Sequence, residues 1–203
     1  MKKFTKYILF ISLGLLCSCS DYLDIVPDNV TTLDIVFNNK NTAQRYLANC
    51  YHFVPDHGSV KRIPGMGAGH ECWFYTDKDS YFDNEVSFYI ARGLQNTNAP
   101  YANYWDGEGG SKLPMFRAIR ECNIFLSYVR DQHKVNDLTD SERKRWIAEV
   151  NVLKAYYHFF LFEHYGPIPI VDEALPVSTS SEGVKVTRMP VDQVVDFMVK
   201  LID

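Results

Sequence analysis

The chain has 203 residues, of which 46% are hydrophobic and 23% are charged, and its formal net charge is −4. This length and composition are typical of a globular protein that can bury a sizeable core. A net acidic chain without a Lys/Arg-rich run argues against nucleic acid as a partner and against binding to an anionic membrane surface.

Residues 1–18 have the layout of a secretory signal peptide. Lys2, Lys3 and Lys6 precede an almost wholly apolar run over Tyr7–Leu16, and small or polar residues follow it. An apolar helix of that length extends about 15 Å, roughly half the hydrocarbon thickness of a bilayer. We therefore predict that the segment directs export and is removed, and that it does not span the membrane.

Residues 19–40 are predicted to form an acidic tether, and a helical domain over residues 41–203 follows. Asn41 is predicted to cap the first helix, which ends before Pro55. From Pro55 to about Gly110 no period is sustained, and Gly, Pro, Asn and Asp are mixed with aromatic residues. A loop region this long inside a compact domain is usually functional or poorly ordered.

Three helices are predicted in the second half of the chain. Ser111 is expected to cap the first of them, with Pro114 in its first turn. The second lies between the capping-box pattern Thr139–Glu142 and the stop signal Gly166-Pro167. Its predicted buried stripe contains Trp146, Val150, Leu153, Tyr157, Leu161 and His164.

The third of these helices is opened by Thr187 and Pro190. Its predicted apolar stripe contains Val191, Val194, Val195, Met198 and Ile202. The pattern stops at Asp203 without a glycine cap, a basic final turn or a polar tail. We therefore expect this chain to be a partial form of a longer protein.

Cys50, Cys72 and Cys122 follow the N-terminal segment. In an oxidising compartment at most one pair of them can form a disulfide. Cys50 and Cys122 both lie in helical patterns, where a small buried apolar residue is the favoured interpretation. No disulfide is predicted.

The stretch Leu16-Cys17-Ser18-Cys19 resembles the bacterial lipobox, in which a leucine precedes by three residues a cysteine that is acylated and becomes the new N-terminus. By that resemblance Cys19 is the lipidated residue, and Cys17 leaves with the signal peptide. The several acyl chains of such an anchor hold a protein stably at a membrane. Ordinary soluble secretion is the alternative.

Four stretches, in order, resemble the SusD/RagB family of outer-membrane lipoproteins: CSDYLDIVPDN, ANCYHFV, YWDGEGGSKLPMFRAIRECNIFL and EVNVLKAYYHFFLFEHYGPIPIV. The fourth is the most specific, because the best-known stretch of the family is a helix of the form A-x-x-L-R-A-Y-Y-x-F-x-L-x-x-x-Y-G-x-I/V-P. Lys154 stands where arginine is commoner in that pattern.

The resemblance implies an all-α fold of tetratricopeptide-like helix pairs with long irregular loop insertions. It also implies a lipid-anchored protein on the cell surface that captures oligosaccharides and delivers them to a SusC-like TonB-dependent transporter of the outer membrane. Family members are not enzymes, and complete ones are more than twice as long as this chain. The alternative is a helical-repeat lipoprotein that binds only proteins, as a scaffold or assembly factor.

No catalytic site, metal site or cofactor is predicted. His158 and His164 are six residues apart, which is not the spacing that places two zinc ligands on one helix face. The stretch Gly69–Cys72 offers a histidine and a cysteine, but no second pair with zinc-site spacing occurs nearby. The glycine-rich stretch Gly65–Gly69 follows no predicted strand, so it is interpreted as a loop and not as a phosphate cradle.

Glycan contacts are predicted in the loop ECWFYTDKDSYFDNE. Sugar rings present C–H faces to aromatic planes and hydroxyls to short polar side chains, and this loop interleaves aromatic residues with Asp and Asn. Trp73, Tyr75, Asp77 and Tyr81 are the candidate contacts. The alternative, aromatic side chains packed on the helical core, stays open for these residues and is favoured for Trp105.

Overall fold

The structure is a computed structural model, and it describes residues 32–59, 63–69, 86–107, 112–176, 179–180, 182–183 and 185–203. The described part is all-α and contains no strand, as predicted. None of its helices is both long enough and apolar enough to cross a bilayer. The helices are α1 (Leu33–Val36), α2 (Lys40–Tyr51), α3 (Gly65–Ala68), α4 (Val86–Ala91), α5 (Met115–Arg130), α6 (Asp140–Tyr165) and α7 (Val191–Ile202).

Local sequence sets both ends of α6. Thr139 Oγ1 accepts a hydrogen bond from Glu142 N at 3.3 Å, and a carboxylate oxygen of Glu142 accepts one from Thr139 N at 3.2 Å. This confirms the predicted capping box. At the other end Gly166 has a φ of +67°, and its N–H donates to Phe162 O at 2.8 Å. The predicted stop is therefore also confirmed, because glycine takes this left-handed conformation without strain.

The buried face of α6 follows the predicted stripe except at its last position. The side chains that are buried as predicted are Trp146, Val150, Leu153, Tyr157 and Leu161. His164 is exposed, because it lies in the last turn of α6, at the edge of the core. Its Nδ1 donates to Phe160 O at 2.8 Å, and its ring packs against Tyr104.

Helices α5 and α6 pack as an antiparallel pair. Arg143, near the start of α6, donates a hydrogen bond to the end of α5. At the opposite end of the pair, Trp105 packs against both Tyr165 at the end of α6 and Phe116 near the start of α5. Arg143 is 7% exposed, and its guanidinium donates to four carbonyl oxygens at 2.6–3.1 Å, those of Val129, Asp131, Lys134 and Val135. The last carbonyls of a helix have no intrahelical partner, so Arg143 closes the end of α5.

The N-cap of α2 is Asn39, and the prediction of Asn41 was wrong. Asn39 Oδ1 accepts a hydrogen bond from Thr42 N at 3.1 Å, and Asn41 lies exposed in the first turn. A tertiary contact decides between the two asparagines. Phe37 is fully buried, and its carbonyl accepts a hydrogen bond from Val135 N at 3.1 Å. That contact fixes the chain just before Asn39.

Helix α5 begins at Met115, so the predicted cap at Ser111 was wrong, although Ser111 itself lies outside the described residues. Pro114 occupies the N-cap position with an extended ψ of 92°. The N–H groups of Met115 and Phe116 donate to the carbonyls of Tyr104 and Trp105 at 3.0 and 3.5 Å. A loop therefore replaces the missing side-chain cap, and it positions Trp105 against α5.

Helix α7 packs on α6 with a narrower face than predicted. Val194 is fully buried and Met198 is partly buried, but Val191, Val195 and Ile202 are exposed. In addition to that stripe, Phe197 packs its ring edge-on against His158, at 5.0 Å between ring centroids.

Cys50 on α2 and Cys122 on α5 are free thiols and fully buried, which confirms their assignment to the core. Their side chains hydrogen-bond to each other, and this bond, together with burial, raises the pKa of the Cys122 thiol. The thiol of Cys122 is thus kept in the protonated, unreactive form.

Candidate functional site

The predicted glycan contacts Trp73, Tyr75, Asp77 and Tyr81 lie outside the described residues, as does the predicted lipidation site Cys19. The later part of the aperiodic region is described over residues 86–107, where a loop follows helix α4. This loop contains Trp105, the residue for which packing on the core was favoured over ligand contact.

Trp105 does pack on the core, and it also lines surface clefts of the protein. Its ring meets Phe116 of α5 at 4.6 Å and Tyr165 of α6 at 5.5 Å, both edge-on. Asn103 Oδ1 accepts a hydrogen bond from Trp105 N at 3.1 Å, which fixes the backbone of the turn. Gly107 closes this turn with a φ of +80°, and a Cβ there would lie 2.7 Å from Pro114.

Two clefts share Trp105 as a wall. The first, called the amide cleft below, has a volume of about 480 Å³ and places Trp105 and Tyr165 beside the polar side chains of Gln95, Asn96, Thr97, Asn103 and Arg188. The second, called the apolar cleft, has a volume of about 290 Å³ and is lined mainly by Phe116, Pro169, Val171, Ala174, Leu175 and Val186. The amide cleft therefore combines an aromatic wall with hydrogen-bonding groups, and the apolar cleft is mainly a hydrophobic surface.

The amide side chains are held by bonds within their own loop. Gln95 Oε1 accepts a hydrogen bond from Tyr101 N at 2.7 Å, and Asn96 Oδ1 accepts one from Ala99 N at 2.7 Å. Asn103 Nδ2 donates to Asp106 Oδ1 at 2.5 Å. Because these bonds fix the side-chain torsions, the polar lining of the cleft is organised before any ligand arrives.

Arg188 reaches the amide cleft from the segment that precedes α7. Its guanidinium carbon lies 5.1 Å from the centre of the Trp105 ring, and Nη1 donates to Pro167 O at 3.2 Å and to Tyr165 O at 3.4 Å. A guanidinium over an indole face is attracted by the negative face of the ring system. These contacts join the end of α6, the Trp105 turn and the chain before α7.

Tyr165 supplies a neutral hydroxyl at the same place. Burial raises the pKa of Tyr165, so the hydroxyl stays protonated at neutral pH. It donates to Ala102 O at 3.3 Å and accepts a hydrogen bond from Tyr104 N at 2.9 Å. Tyr165 thereby ties the loop that carries the amides to the end of α6.

A second polar cluster lies inside the protein and not in a cleft. Lys154 is fully buried, and its Nζ donates to Asp172 Oδ1 at 2.5 Å and to Asp172 O at 2.8 Å. His158 is also fully buried, and its Nδ1 donates to Lys154 O at 2.7 Å. Burial lowers the pKa of His158 to about 4, so the imidazole is neutral. These groups join α6 to the extended chain after Gly166.

His158 and His164 lie in different surroundings. One is buried and bonded to backbone, and the other is exposed. Across the described ranges no group of three or more His, Cys, Asp or Glu side chains is arranged to hold a metal ion. The stretch Gly69–Cys72 falls almost wholly outside those ranges.

The sequence interpretation missed the amide cleft. A local signal was present, because Gln95, Asn96, Asn98 and Asn103 precede Trp105 within eleven residues. Arg188 carried no signal, since it lies more than 80 residues from Trp105 in the chain and in no periodic segment.

Comparison with known proteins identifies the class. The SusD-like family model described as "Starch-binding associating with outer membrane" matches residues 21–202. The chain therefore belongs to the SusD-like family, which confirms the resemblance drawn from the sequence, and its helix pairs are tetratricopeptide-like.

Solved structures agree on the fold. The chain is similar to BT4246, with a TM-score of 0.60 and 24% identity over 80% of this chain and 25% of that protein. It is also similar to the SusD-like protein BF3747 from Bacteroides fragilis NCTC 9343, with a TM-score of 0.59 and 17% identity over 83% of this chain and 29% of that protein. The chain thus spans between a quarter and a third of the length of either structure. No curated protein matches its sequence significantly.

Proposed function

We propose that this protein is a surface-exposed, lipid-anchored glycan-binding protein that captures oligosaccharides and delivers them to a SusC-like TonB-dependent transporter. Family membership supports glycan binding at the outer membrane, because the family is described by starch binding and association with that membrane. The observation that carries the proposal is the amide cleft. There an aromatic wall of Trp105 and Tyr165 faces amide and hydroxyl side chains on a preorganised loop.

Binding in this cleft requires no chemical step. A sugar ring places its C–H face on an aromatic ring, and its hydroxyls exchange hydrogen bonds with amides that the loop already holds in position. Each contact is individually modest, so a bound oligosaccharide is released again without a change in the protein. Reversible capture of this kind suits a protein that hands its ligand to a transporter.

The first experiment fills the amide cleft with a bulky side chain. Thr97 is exposed at the cleft, so Thr97→Trp adds bulk there. Titration calorimetry with maltooligosaccharides and a panel of other oligosaccharides is expected to show at least about tenfold weaker binding. Ser141→Trp, at an exposed position in the first turn of α6, is the matched control and is expected to bind normally. Absence of binding to every oligosaccharide by the unmodified protein would reject the proposal.

The predicted contacts Trp73, Tyr75, Asp77 and Tyr81 are tested in the same assay. We propose that this loop contributes further stacking and hydrogen-bonding surface to the ligand. Trp73→Ala combined with Tyr81→Ala is expected to weaken binding by about tenfold. Unchanged affinity would show that this loop assignment is wrong and would leave the function itself standing.

Anchoring and partner are tested in cells. Cys19→Ala is expected to abolish incorporation of a labelled fatty acid and to move the protein out of the membrane fraction. Co-purification of the unmodified protein with a TonB-dependent transporter tests the delivery step. Chromatography of oligosaccharides after long incubation is expected to show no cleavage, since we propose a binding protein and not an enzyme.

A second candidate, a lipoprotein that binds only other proteins, is favoured by a different observation. Large apolar side chains are exposed on α6 and α7, with Val152 at 54%, Phe159 at 48% and Ile202 at 57%. Retained binding to the transporter together with no affinity for any sugar would select this candidate.

A further inference from the structure

The charge of the amide cleft is unbalanced. Arg188 is the one ionisable side chain with a permanent charge among the described residues that line it, and none of those residues is a carboxylate. Arg188 makes no ion pair within the described part of the chain. Asp106, in the same loop, accepts a hydrogen bond from Asn103. A cation thus lines a cleft whose other polar groups are neutral.

Arg188 also has hydrogen-bond donors to spare. A guanidinium has five N–H groups, and the two backbone carbonyls that accept from Arg188 are both bonded through Nη1. The N–H groups on Nη2 and Nε donate to no group in the described residues. Together they form the fork that matches the two oxygens of a carboxylate or of a sulfate.

The guanidinium is also held in place before a ligand binds. Its contacts to Pro167 O, Tyr165 O and the Trp105 ring restrict a side chain that otherwise has large rotational freedom. An exposed lysine or arginine without such contacts loses that freedom on binding, which weakens its interaction with an anion. Arg188 has already lost it in the folded protein.

We propose that the amide cleft binds glycans that carry an anionic group, either the carboxylate of a uronic acid or a sulfate ester, and that Arg188 receives this group. This inference rests on the proposed glycan-binding function and adds the substrate class. Neutral sugars remain ligands through the aromatic wall and the amides, but they lack the pair of anionic oxygens that the Arg188 fork matches.

Calorimetry with matched ligands tests the inference on the full-length protein. Oligogalacturonate is compared with its methyl ester, and sulfated dextran oligosaccharides with unmodified dextran oligosaccharides, so that each pair differs in charge and not in the sugar backbone. We expect the anionic member of at least one pair to bind about tenfold more tightly, with the advantage falling as salt rises. The two pairs distinguish a carboxylate from a sulfate as the preferred group.

Variants assign the effect to Arg188. Arg188→Gln is expected to reduce the tenfold preference for the anionic member over its neutral partner to about twofold. Arg188→Lys, which keeps the charge but loses the fork, is expected to fall between them. Lys144→Gln makes the same change of charge on α6 about 30 Å along the helix from Tyr165 and is expected to change nothing.

The outcomes separate this inference from the proposed function. Equal affinity for the charged and neutral members of both pairs would overturn the inference and leave glycan binding intact. The same would follow if Arg188→Gln weakened the charged and neutral ligands equally. No binding of any glycan by the unmodified protein would reject the proposed function and this inference with it.

Discussion

Each end of α6 holds an arginine against backbone carbonyls, but the two arginines lie in different surroundings. Arg143, at the start, is almost fully buried and donates to four carbonyls. Arg188, which packs at the far end, is exposed, shares its Nη1 between two carbonyls and lies over the Trp105 ring. In buried surroundings the arginine stabilises the fold, as Arg143 does. In exposed surroundings it keeps N–H donors that can bind a ligand, as Arg188 does.

The largest expected effect comes from the closed end. Arg143→Met leaves buried carbonyls at the end of α5 without a donor, and we expect the free energy of unfolding to fall by about 4 kcal/mol. Arg188→Met should change it by less than about 1 kcal/mol, because the carbonyls at that end reach solvent. Urea denaturation measures both. Equal losses would mean that the two arginines contribute equally to stability, contrary to the difference in their surroundings.

The free energy of unfolding is expected to depend on pH through His158, which is buried between the two ends of α6. The pKa of His158 is lowered to about 4 by burial, against an ordinary value of 6.5, so the unfolded chain binds the proton more readily than the folded one. Stability is therefore complete above about pH 6.5 and falls by about 3 kcal/mol as the pH decreases from 6.5 to 4.

His158→Gln isolates this contribution, because glutamine does not titrate. Urea denaturation at several pH values is expected to show a shallower decline for the variant between pH 6.5 and 4. Parallel curves for the two proteins would contradict a neutral, buried imidazole at this position. The core beside α7 would then have to be open to water.

Glycine substitutions measure how rigid the turn is that positions Trp105 in the amide cleft. Gly107 and Gly93 both have positive φ, at +80° and +72°, but a Cβ meets Pro114 at 2.7 Å in the first case and no atom within 4 Å in the second. Gly93→Ala should therefore cost about 1 kcal/mol from the backbone alone, and Gly107→Ala about 2 kcal/mol with the clash added. Equal costs would show that the turn shifts freely and that the amide cleft is not preorganised.

The smallest effect concerns chemical reactivity and not stability. Cys50 and Cys122 are both buried. The pKa of Cys122 is raised by its hydrogen bond to Cys50 and by burial, so little thiolate forms at Cys122 at neutral pH. Iodoacetamide should leave both thiols unmodified in the native protein and label both in urea, as read by peptide mass spectrometry. Labelling of the native protein at Cys122 would show that the core between α2 and α5 opens locally.

The fold was predictable wherever its determinants lie within a few residues. The capping box of Thr139 and Glu142 and the stop at Gly166 are local patterns, and both were read correctly. The starts of α2 and α5 were not, because distant partners set them: Val135 bonds the chain before Asn39, and Tyr104 and Trp105 bond the first N–H groups of α5. Local sequence offered equally good caps at Asn41 and Ser111.

The candidate site was less predictable for the same reason. The amides before Trp105 are visible in the sequence, but a loop without a period does not show which side chains face a cleft. The meeting of Arg188 with Trp105 depends on the extended chain after Gly166, and no spacing rule relates the two positions. Lys154 likewise finds Asp172 only because that chain returns along α6.

Residues that contact helix α2 lie about 100 positions further along the chain, and this affects folding during synthesis. Lys40 bonds Asp137, which is 97 residues away, and Cys50 O accepts the hydroxyl of Tyr157, which is 107 residues away. Synthesis proceeds at about 5 to 20 residues per second, so α2 waits roughly 5 to 20 seconds for α6. During that interval its apolar face is open to aggregation or to a chaperone, whereas α5 and α6 can close on each other as soon as both have emerged.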